Sequence, residues 1–318
     1  MDNRQLMVKA SWLYHVEGLT QAQIAERINL TRRRVNELLA AALDEGIVRI
    51  SFTSPLAENV ELEAQLCGAF GLDEAVVAPT PADPRQMQSV IGRAAAALLD
   101  RMIPVRRPQS LGVGWGTTLR ETVEQMTPVN VPETKVRSMM GGLTRGSEIN
   151  TFEIVRRFAK VLGAECHYLA APIYADSAAS RDAIVAQPVI RTLLEEAAAV
   201  EISCLSVGDL TRESLQVRYG LPSLQVIEEL KQAGAVGDIL GRYLDGEGRT
   251  VDHPMNRQVI SPELEDYRRI PCRIIASGGA HKHATLHAAL KARLATVLVT
   301  DAESARWLIK KAGRSPAE

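Results

Sequence analysis

Four short runs constrain this chain more than anything else in it: LGVGWG, ISCLSVG, RIIASGG and TVLVTD. Each is almost continuously apolar, too short to cross a bilayer, and bounded by glycine or aspartate. A strand with one wet face alternates apolar and polar residues; a strand buried on both faces does not, and parallel sheets covered by helices on both sides are built from such strands. Amphipathic stretches separate the runs. Helices are predicted over 59–70, 86–102, 117–126, 151–162, 180–197 and 223–233, from 281 onward, and after TVLVTD. Strands are predicted at EAVVAP, SLGVGWG, VRSMMGG, AECHYLAAPIY and EISCLSVGDL. Alternation of strand and helix specifies a doubly wound, Rossmann-like α/β domain with a parallel sheet. Sites in such domains lie beyond the carboxyl ends of the strands.

The first fifty residues follow a different grammar. In LTQAQIAERINLTRRRVNELLAAALDEGIVRISF, Thr20 caps a short helix whose inner face is Ile24, Ala25 and Ile28. Asn29-Leu30 makes a tight turn. Thr31 caps a second helix with Val35, Leu38, Leu39 and Leu43 facing inward, Gly46 ends it, and IVRISF reads as a strand, a candidate wing. With an upstream helix over 4–16, this is an all-α helix-turn-helix with or without a wing. The N-terminal end of the second helix carries Arg32, Arg33, Arg34 and Asn36. Arginine reads guanine and asparagine reads adenine by paired hydrogen bonds, and that end of such a helix meets the base edges. The candidate DNA-facing set is therefore Thr20, Gln21, Thr31, Arg32, Arg33, Arg34 and Asn36; the plainer reading of Gln21 is a surface residue. The expected domains are 1–54, binding DNA, and 55–318, binding a small ligand.

A net charge of −1 over 318 residues confines any nucleic-acid surface to a local patch. The four cysteines, Cys67, Cys166, Cys204 and Cys272, have no paired spacing and read as free thiols. No apolar run is long enough for a membrane span and no secretory leader is apparent, so a cytoplasmic protein is expected.

Two loops of the larger domain carry anion chemistry. GVGWGTTL places Gly112, Gly114 and Gly116 just ahead of a helix, followed by Thr117 and Thr118. Glycine lets backbone N–H groups approach an anion and the hydroxyls add donors. The spacing is neither a Walker loop nor GxGxxG, and a tight packing turn is the plainer reading. In ASGGAHKHATLHAAL, Gly279 opens a helix with Lys282 in its first turn, where a cation is unfavourable unless an anion sits nearby; the alternative is a lysine reaching solvent. His283 and His287 share a helical face as in zinc pairs, but no further ligand cluster accompanies them, so no metal is expected; His281 is placed at the pocket. Lys282 also reads as a catalytic lysine if Asp209, Asp238 or Asp301 lies beside it. Asp245 reads as facing water, whereas for Asp238 a ligand contact and a solvent-facing role are evenly matched.

Taken together and in order, the helix-turn-helix, GVGWGTTL, GGLTRG, APIYADSAASRDA, VGDL, GDILGRYLDGEG, ASGGAHKHATLHAAL and VLVTDAESA resemble the SorC-type sugar-binding transcriptional regulators across nearly the whole chain. The resemblance implies an effector domain similar to sugar-phosphate isomerases, a homotetramer, double-stranded operator DNA as one partner, and a sugar, polyol or sugar phosphate as the other. It implies no cofactor, metal or catalytic residue. Gly116, Thr117, Thr118 and Lys282 would hold a phosphate or its equivalent. Gly141, Gly142, Asn150 and Asp238 would surround the sugar, and Trp115 would wall the pocket, with Gly114, Gly279 and His281 completing the set. The alternative is an isomerase-like enzyme carrying an appended DNA-binding domain.

Overall fold

A computed structural model describes residues 2–48, 55–143, 149–212, 214–219 and 221–313. The chain forms two compact units, Met1–Ala57 and Glu58–Glu318.

The first unit holds α1 (Asn3–His15), α2 (Gln21–Arg27) and α3 (Arg32–Asp44). Each begins on a side-chain cap: Asp2 and Thr20 form capping boxes with Gln5 and Gln23, and the Thr31 hydroxyl accepts from the Arg34 N–H. Asn29 takes the left-handed turn conformation at φ 56°. Met7, Ala10, Leu13, Ile24, Ala25, Val35, Leu38, Leu39 and Ala42 form the core. One expected core residue is misplaced: Leu43 is 44% exposed, and Ala42 is buried instead. The spacing 35, 38, 39, 42 keeps one helical stripe, and position 43 is rotated off it. Ile47 and Val48 pack against this core; the remainder of the candidate wing strand, 49–52, lies outside the described residues.

The second unit begins within α4 (Pro55–Phe70) and continues through β1 (Glu74–Ala78), α5 (Met87–Arg106), β2 (Ser110–Val113), α6 (Thr117–Gln125), β3 (Lys135–Ser138), α7 (Thr151–Leu162) and β4 (Glu165–His167). Then come α8 (Ala178–Val185), α9 (Pro188–Ala198), β5 (Ile202–Leu205), β6 (Gly208–Asp209), α10 (Leu215–Arg218), α11 (Leu224–Gln232), β7 (Gly237–Ile239) and β8 (Arg242–Leu244). The last elements are α12 (Pro254–Gln258), α13 (Leu264–Tyr267), β9 (Cys272–Ala276), α14 (His283–Lys291), β10 (Val297–Asp301) and α15 (Ala302–Ala312). No helix among the described residues is long and apolar enough to cross a membrane.

Seven strands form one parallel sheet in the order β1-β10-β9-β5-β2-β3-β4. Both faces are dry, as the apolar runs require. Leu111, Val113, Ile202, Cys204, Ile274, Val297 and Val299 pack on one side against α5, α6 and α7; Leu205, Ile275 and Leu298 pack on the other against α4, α14 and α15. From β2 the chain moves outward through β3 and β4, then returns to place β5 on the opposite flank of β2. The loops leaving β2 and β5 diverge, opening a crevice at that switch point.

Two expected elements divide. The helix expected over 180–197 is α8 and α9, because Pro188 cannot donate within a helix and holds Gln187 extended. The strand expected over 201–210 breaks after Leu205. Gly208 and Asp209 then pair antiparallel with β7, and β7 with β8, forming a small second sheet. Gly208 lies opposite Asp238 in that ladder; a Cβ on it would fall 2.0 Å from Asp238 Oδ1.

Candidate functional site

The crevice between the β2 and β5 loops is a cavity of about 670 Å3. Three sheet ends supply its walls: Gly114–Thr118 after β2, Leu205–Asp209 after β5, and His281 and Lys282 after β9. Asp238 reaches in from β7, and Gln216 from the short helix α10.

The β2 side is the open N-terminus of α6. Gly116 is the N-cap at φ 113°, a conformation that favours glycine, and no side chain caps the first turn. Its N–H donates to the Ile149 carbonyl. First-turn N–H groups and the positive end of the helix dipole therefore face the cavity, with Thr117 and Thr118 on its wall.

Across from it, Gly279 at φ 89° leads a tight turn over Ala280–Lys282 that delivers His281 and Lys282. Lys282 Nζ lies 3.4 Å from Ser206 Oγ, which bonds Ser277 Oγ. Desolvation lowers the lysine pKa; the nearby Asp209 and Asp238 carboxylates pull it upward. His281 Nε2 lies 3.9 Å from Asp209 Oδ2, and burial lowers its pKa, Lys282 adding to that.

Asp238 is the most perturbed acid of the site. Burial pushes its carboxyl up to about 7, against hydrogen bonds from the Gly241 N–H and Gln216 Nε2. Both donors reach the same oxygen, Oδ2, at 3.1 and 3.0 Å. Tyr243 donates to Gln216 Oε1 at 2.5 Å, which turns the amide nitrogen of Gln216 toward Asp238. Asp238 Oδ1 has no partner among the described residues. A buried acceptor left bare in this way is costly, and it gains a partner when a ligand hydroxyl enters beside Gly208, which lies against it.

Not every expected residue meets here. Gly114, Trp115, Gly116, Thr117, Thr118, Asp238, His281 and Lys282 line the cavity; Gly141, Gly142, Asn150 and Gly279 do not. Gly141 and Gly142 pass against the Pro172 backbone and the Phe152 ring, so closely that a Cβ would fall within 2.6 Å. Asn150 caps α7 and ties itself to Leu143. Thr144, Arg145 and Gly146 of the GGLTRG stretch lie outside the described residues. Ser206, Thr211, Ser214, Gln216, Arg85 and Arg218 join the lining unforeseen. No periodic pattern marks 211–218, so only contact in three dimensions identifies them. Asp245 binds its own turn, accepting from the N–H groups of Glu247 and Arg249.

Gly279 acts one step behind the cavity. Its N–H donates to Asp301 Oδ2 and Ser304 Oγ. The fully buried Asp301 also accepts from Thr80 Oγ1 and from the N–H groups of Glu303 and Ser304. Burial raises its pKa, but the hydrogen bonds from Ser304, Gly279 and Thr80 outweigh that and hold it below the usual range. Replacing Asp301 with alanine strands several buried donors and removes the α15 cap, at a cost of about 3 kcal/mol. In wild type this stabilisation is complete above the unfolded-state pKa and is lost as pH falls through the lower folded value. Urea unfolding should show a wild-type excess at pH 7 that shrinks toward pH 3; equal stability at pH 7 refutes this role. His283 bonds Ser304 and stacks on Trp307, and His287 meets Phe70 and Trp307 edge-on, so these two imidazoles pack around one indole while His281 faces the cavity.

In the first unit, Arg32, Arg33, Arg34 and Asn36 are all exposed on α3. Arg34 is tied to Asn3 and Glu37. Among the described residues Arg33 hydrogen-bonds and ion-pairs with Glu37 alone, and its side chain is 91% exposed. Gln21 Nε2 donates to Asn36 Oδ1 at 3.1 Å, which turns the Asn36 amide nitrogen outward. Thr20 and Thr31 cap their helices.

Residues 54–310 match the family described as "Putative sugar-binding domain". Among curated proteins, the chain is 28% identical over 306 residues to the erythritol catabolism regulatory protein EryD of Brucella abortus, covering 96% of each. It is 31% identical over 312 residues to the deoxyribonucleoside regulator of Bacillus subtilis, covering 97% of this chain and 98% of that one. The full-length sorbitol operon regulator SorC of Klebsiella pneumoniae superposes with a TM-score of 0.74 at 27% identity, over 97% of this chain and 100% of that one.

Proposed function

Because the chain belongs to the SorC-type family of sugar-binding transcriptional regulators, we propose that it controls a carbohydrate or polyol catabolic operon by binding operator DNA under the command of a small effector. One observation carries this: a helix-turn-helix with three arginines exposed at the start of α3 shares a chain with a cavity that gathers Asp209, Asp238, His281 and Lys282 at the sheet's switch point. DNA reading and ligand sensing are thereby covalently joined. The named relatives regulate erythritol catabolism, the sorbitol operon and deoxyribonucleosides, which supports a polyhydroxylated effector.

The cavity has two chemical ends. The α6 N-terminus and Lys282 take an anion, a phosphate or a carboxylate, by backbone N–H groups and a desolvated ammonium. Asp238 Oδ1, with Gln216 fixing its partner oxygen, takes a hydroxyl. His281 and Trp115 bound the space between. The ligand acts by binding one arrangement of the protein better than the other; equal affinity for both would shift nothing. The partners are double-stranded operator DNA and a sugar, polyol or sugar phosphate. A homotetramer in the cytoplasm is the assembly proposed.

Arg33→Ala tests the DNA end. Arg33 is 91% exposed and held only by a surface pair with Glu37, so its loss should weaken operator binding by about 1–3 kcal/mol and leave ligand binding unchanged. Fluorescence anisotropy on the chain's own upstream DNA measures the first and calorimetry the second. Full operator affinity in Arg33→Ala removes that residue from the interface.

A further inference from the structure

Asn36 stands one turn beyond Arg32 on the exposed surface of α3, and its amide is held from the other helix of the motif. Gln21, the first residue of α2, donates from Nε2 to Asn36 Oδ1 at 3.1 Å. The start of α2 is itself fixed, because Thr20 caps it and closes a capping box with Gln23. The arginines beside Asn36 are held differently: Arg34 is tied to Asn3 and Glu37, and Arg33 shares Glu37. A guanidinium has donors only, so its turning changes little. An amide has a donor end and an acceptor end, and the bond from Gln21 tells them apart.

On the regulator reading, we infer that Gln21 decides which base Asn36 reads, and that the pair reads adenine. In the observed order Asn36 Oδ1 keeps one lone pair and Nδ2 keeps both N–H groups. Adenine presents the matching edge in the major groove, its N6 amino donor beside the N7 acceptor. Guanine presents two acceptors there, so one of them would face Oδ1. Cytosine offers a donor without the acceptor, and thymine an acceptor without the donor. In water an exposed amide pair contributes little, since either amide can turn over and bond solvent. Against a base edge the water is gone, and a mismatched end has no other partner. DNA also sets the sense of the pair. The first helix of such a motif crosses the phosphate backbone, and Gln21 stands at the positive end of α2, where phosphate is favoured. Its second Nε2 N–H is a phosphate donor; turned over, Gln21 would set an oxygen against the phosphate. Phosphate, Gln21, Asn36 and adenine then form one chain of donors and acceptors with a single direction.

The test is base preference, read by sequencing the duplexes that the full chain retains from a pool randomised around its own upstream DNA. The position whose preference disappears in Asn36→Ala is the one Asn36 reads. Wild type should favour adenine over guanine there by about tenfold or more. Gln21→Ala removes the tie and keeps the helix, so it should cut that ratio about threefold or more and leave the preferences at other positions unchanged. Gln21→Glu offers only acceptors, which forces Asn36 to turn Nδ2 toward it. Overall affinity then drops through repulsion from phosphate, and the adenine-to-guanine ratio should fall to about one or below. An undiminished wild-type ratio in Gln21→Ala or in Gln21→Glu overturns the inference, as does any base other than adenine preferred at the Asn36 position. Each readout is a ratio among bound duplexes, so a substitution that only loosens the unit lowers every affinity and leaves the ratio where it was. Wild type that enriches no sequence at all overturns the regulator reading together with this one. Enrichment with an unaltered ratio removes this one alone.

Discussion

Lys282→Met weakens the effector response about 30-fold and leaves operator binding at its wild-type strength. The lysine lies on the cavity wall opposite the α6 N-terminus, and among the described residues its one hydrogen bond is the long contact to Ser206. Its ammonium is thus available to an incoming anion. A charge-assisted hydrogen bond of this kind contributes about 2 kcal/mol, roughly a 30-fold change in dissociation constant. At about 100 times the wild-type dissociation constant, a ligand stabilises wild type by about 2.7 kcal/mol and a 30-fold weaker variant by only about 0.9 kcal/mol. Methionine keeps the aliphatic stem and removes the charge. It also leaves Asp209 and Asp238 without their cation, which drives Asp238 further toward its neutral form. Operator anisotropy isolates the effect: the DNA affinity persists and its ligand dependence moves to about 30-fold higher ligand concentration. An unchanged ligand dependence in Lys282→Met means the anion sits elsewhere.

Asp238→Asn makes the ligand-free protein more stable at pH 8 while weakening its ligand response. Burial raises this carboxyl from 3.8 to about 7. Between those values the folded chain holds a proton that the unfolded chain has released, so wild-type stability falls as pH rises from about 4 to about 7 and is flat above. The full shift corresponds to about 4 kcal/mol, a ceiling that solvent entry and relaxation reduce to about 2 kcal/mol. Asparagine keeps an acceptor for Gln216 and Gly241 and places its amide nitrogen where Oδ1 lies bare. The variant therefore escapes the penalty without losing either bond, but offers a ligand hydroxyl a donor in place of an acceptor. Denaturant midpoints across pH 4–8 should show the variant's advantage growing to pH 7 and then levelling. A variant less stable than wild type at pH 8 contradicts the buried, unpartnered carboxylate.

How far the sequence could be read depended on whether a feature was local. The parallel sheet was legible because strands buried on both faces leave continuous apolar runs, and those runs formed β2, β5, β9 and β10. The caps Thr20 and Thr31 were legible because each signal is complete within four residues. Leu43 was misplaced because an apolar residue one step off the stripe looks like one on it. The second sheet was missed because its strands span only two or three residues and are held by a close approach, Gly208 against Asp238, between segments 30 residues apart. Gln216 was invisible for the same reason: nothing in SLQVR announces that its amide will be clamped between Tyr243 and Asp238. The loops after β2 and β9 were found from glycines that precede helices, yet Gly141 and Gly142 show that a glycine pair serves close backbone packing equally well.

Effector-gated DNA binding is tested by operator anisotropy of the full chain on its own upstream DNA, at low and physiological salt, titrated with a panel of free sugars, polyols and their phosphates. Binding should weaken steeply with salt, and at least one polyhydroxylated compound should shift the operator dissociation constant tenfold or more, in either direction. Phosphate esters acting where free sugars do not would assign the anion end to phosphate; free sugars or polyols acting alone would give Lys282 to a hydroxyl. No DNA binding at any salt, or binding that every member of the panel leaves unchanged, would contradict an effector-gated regulator.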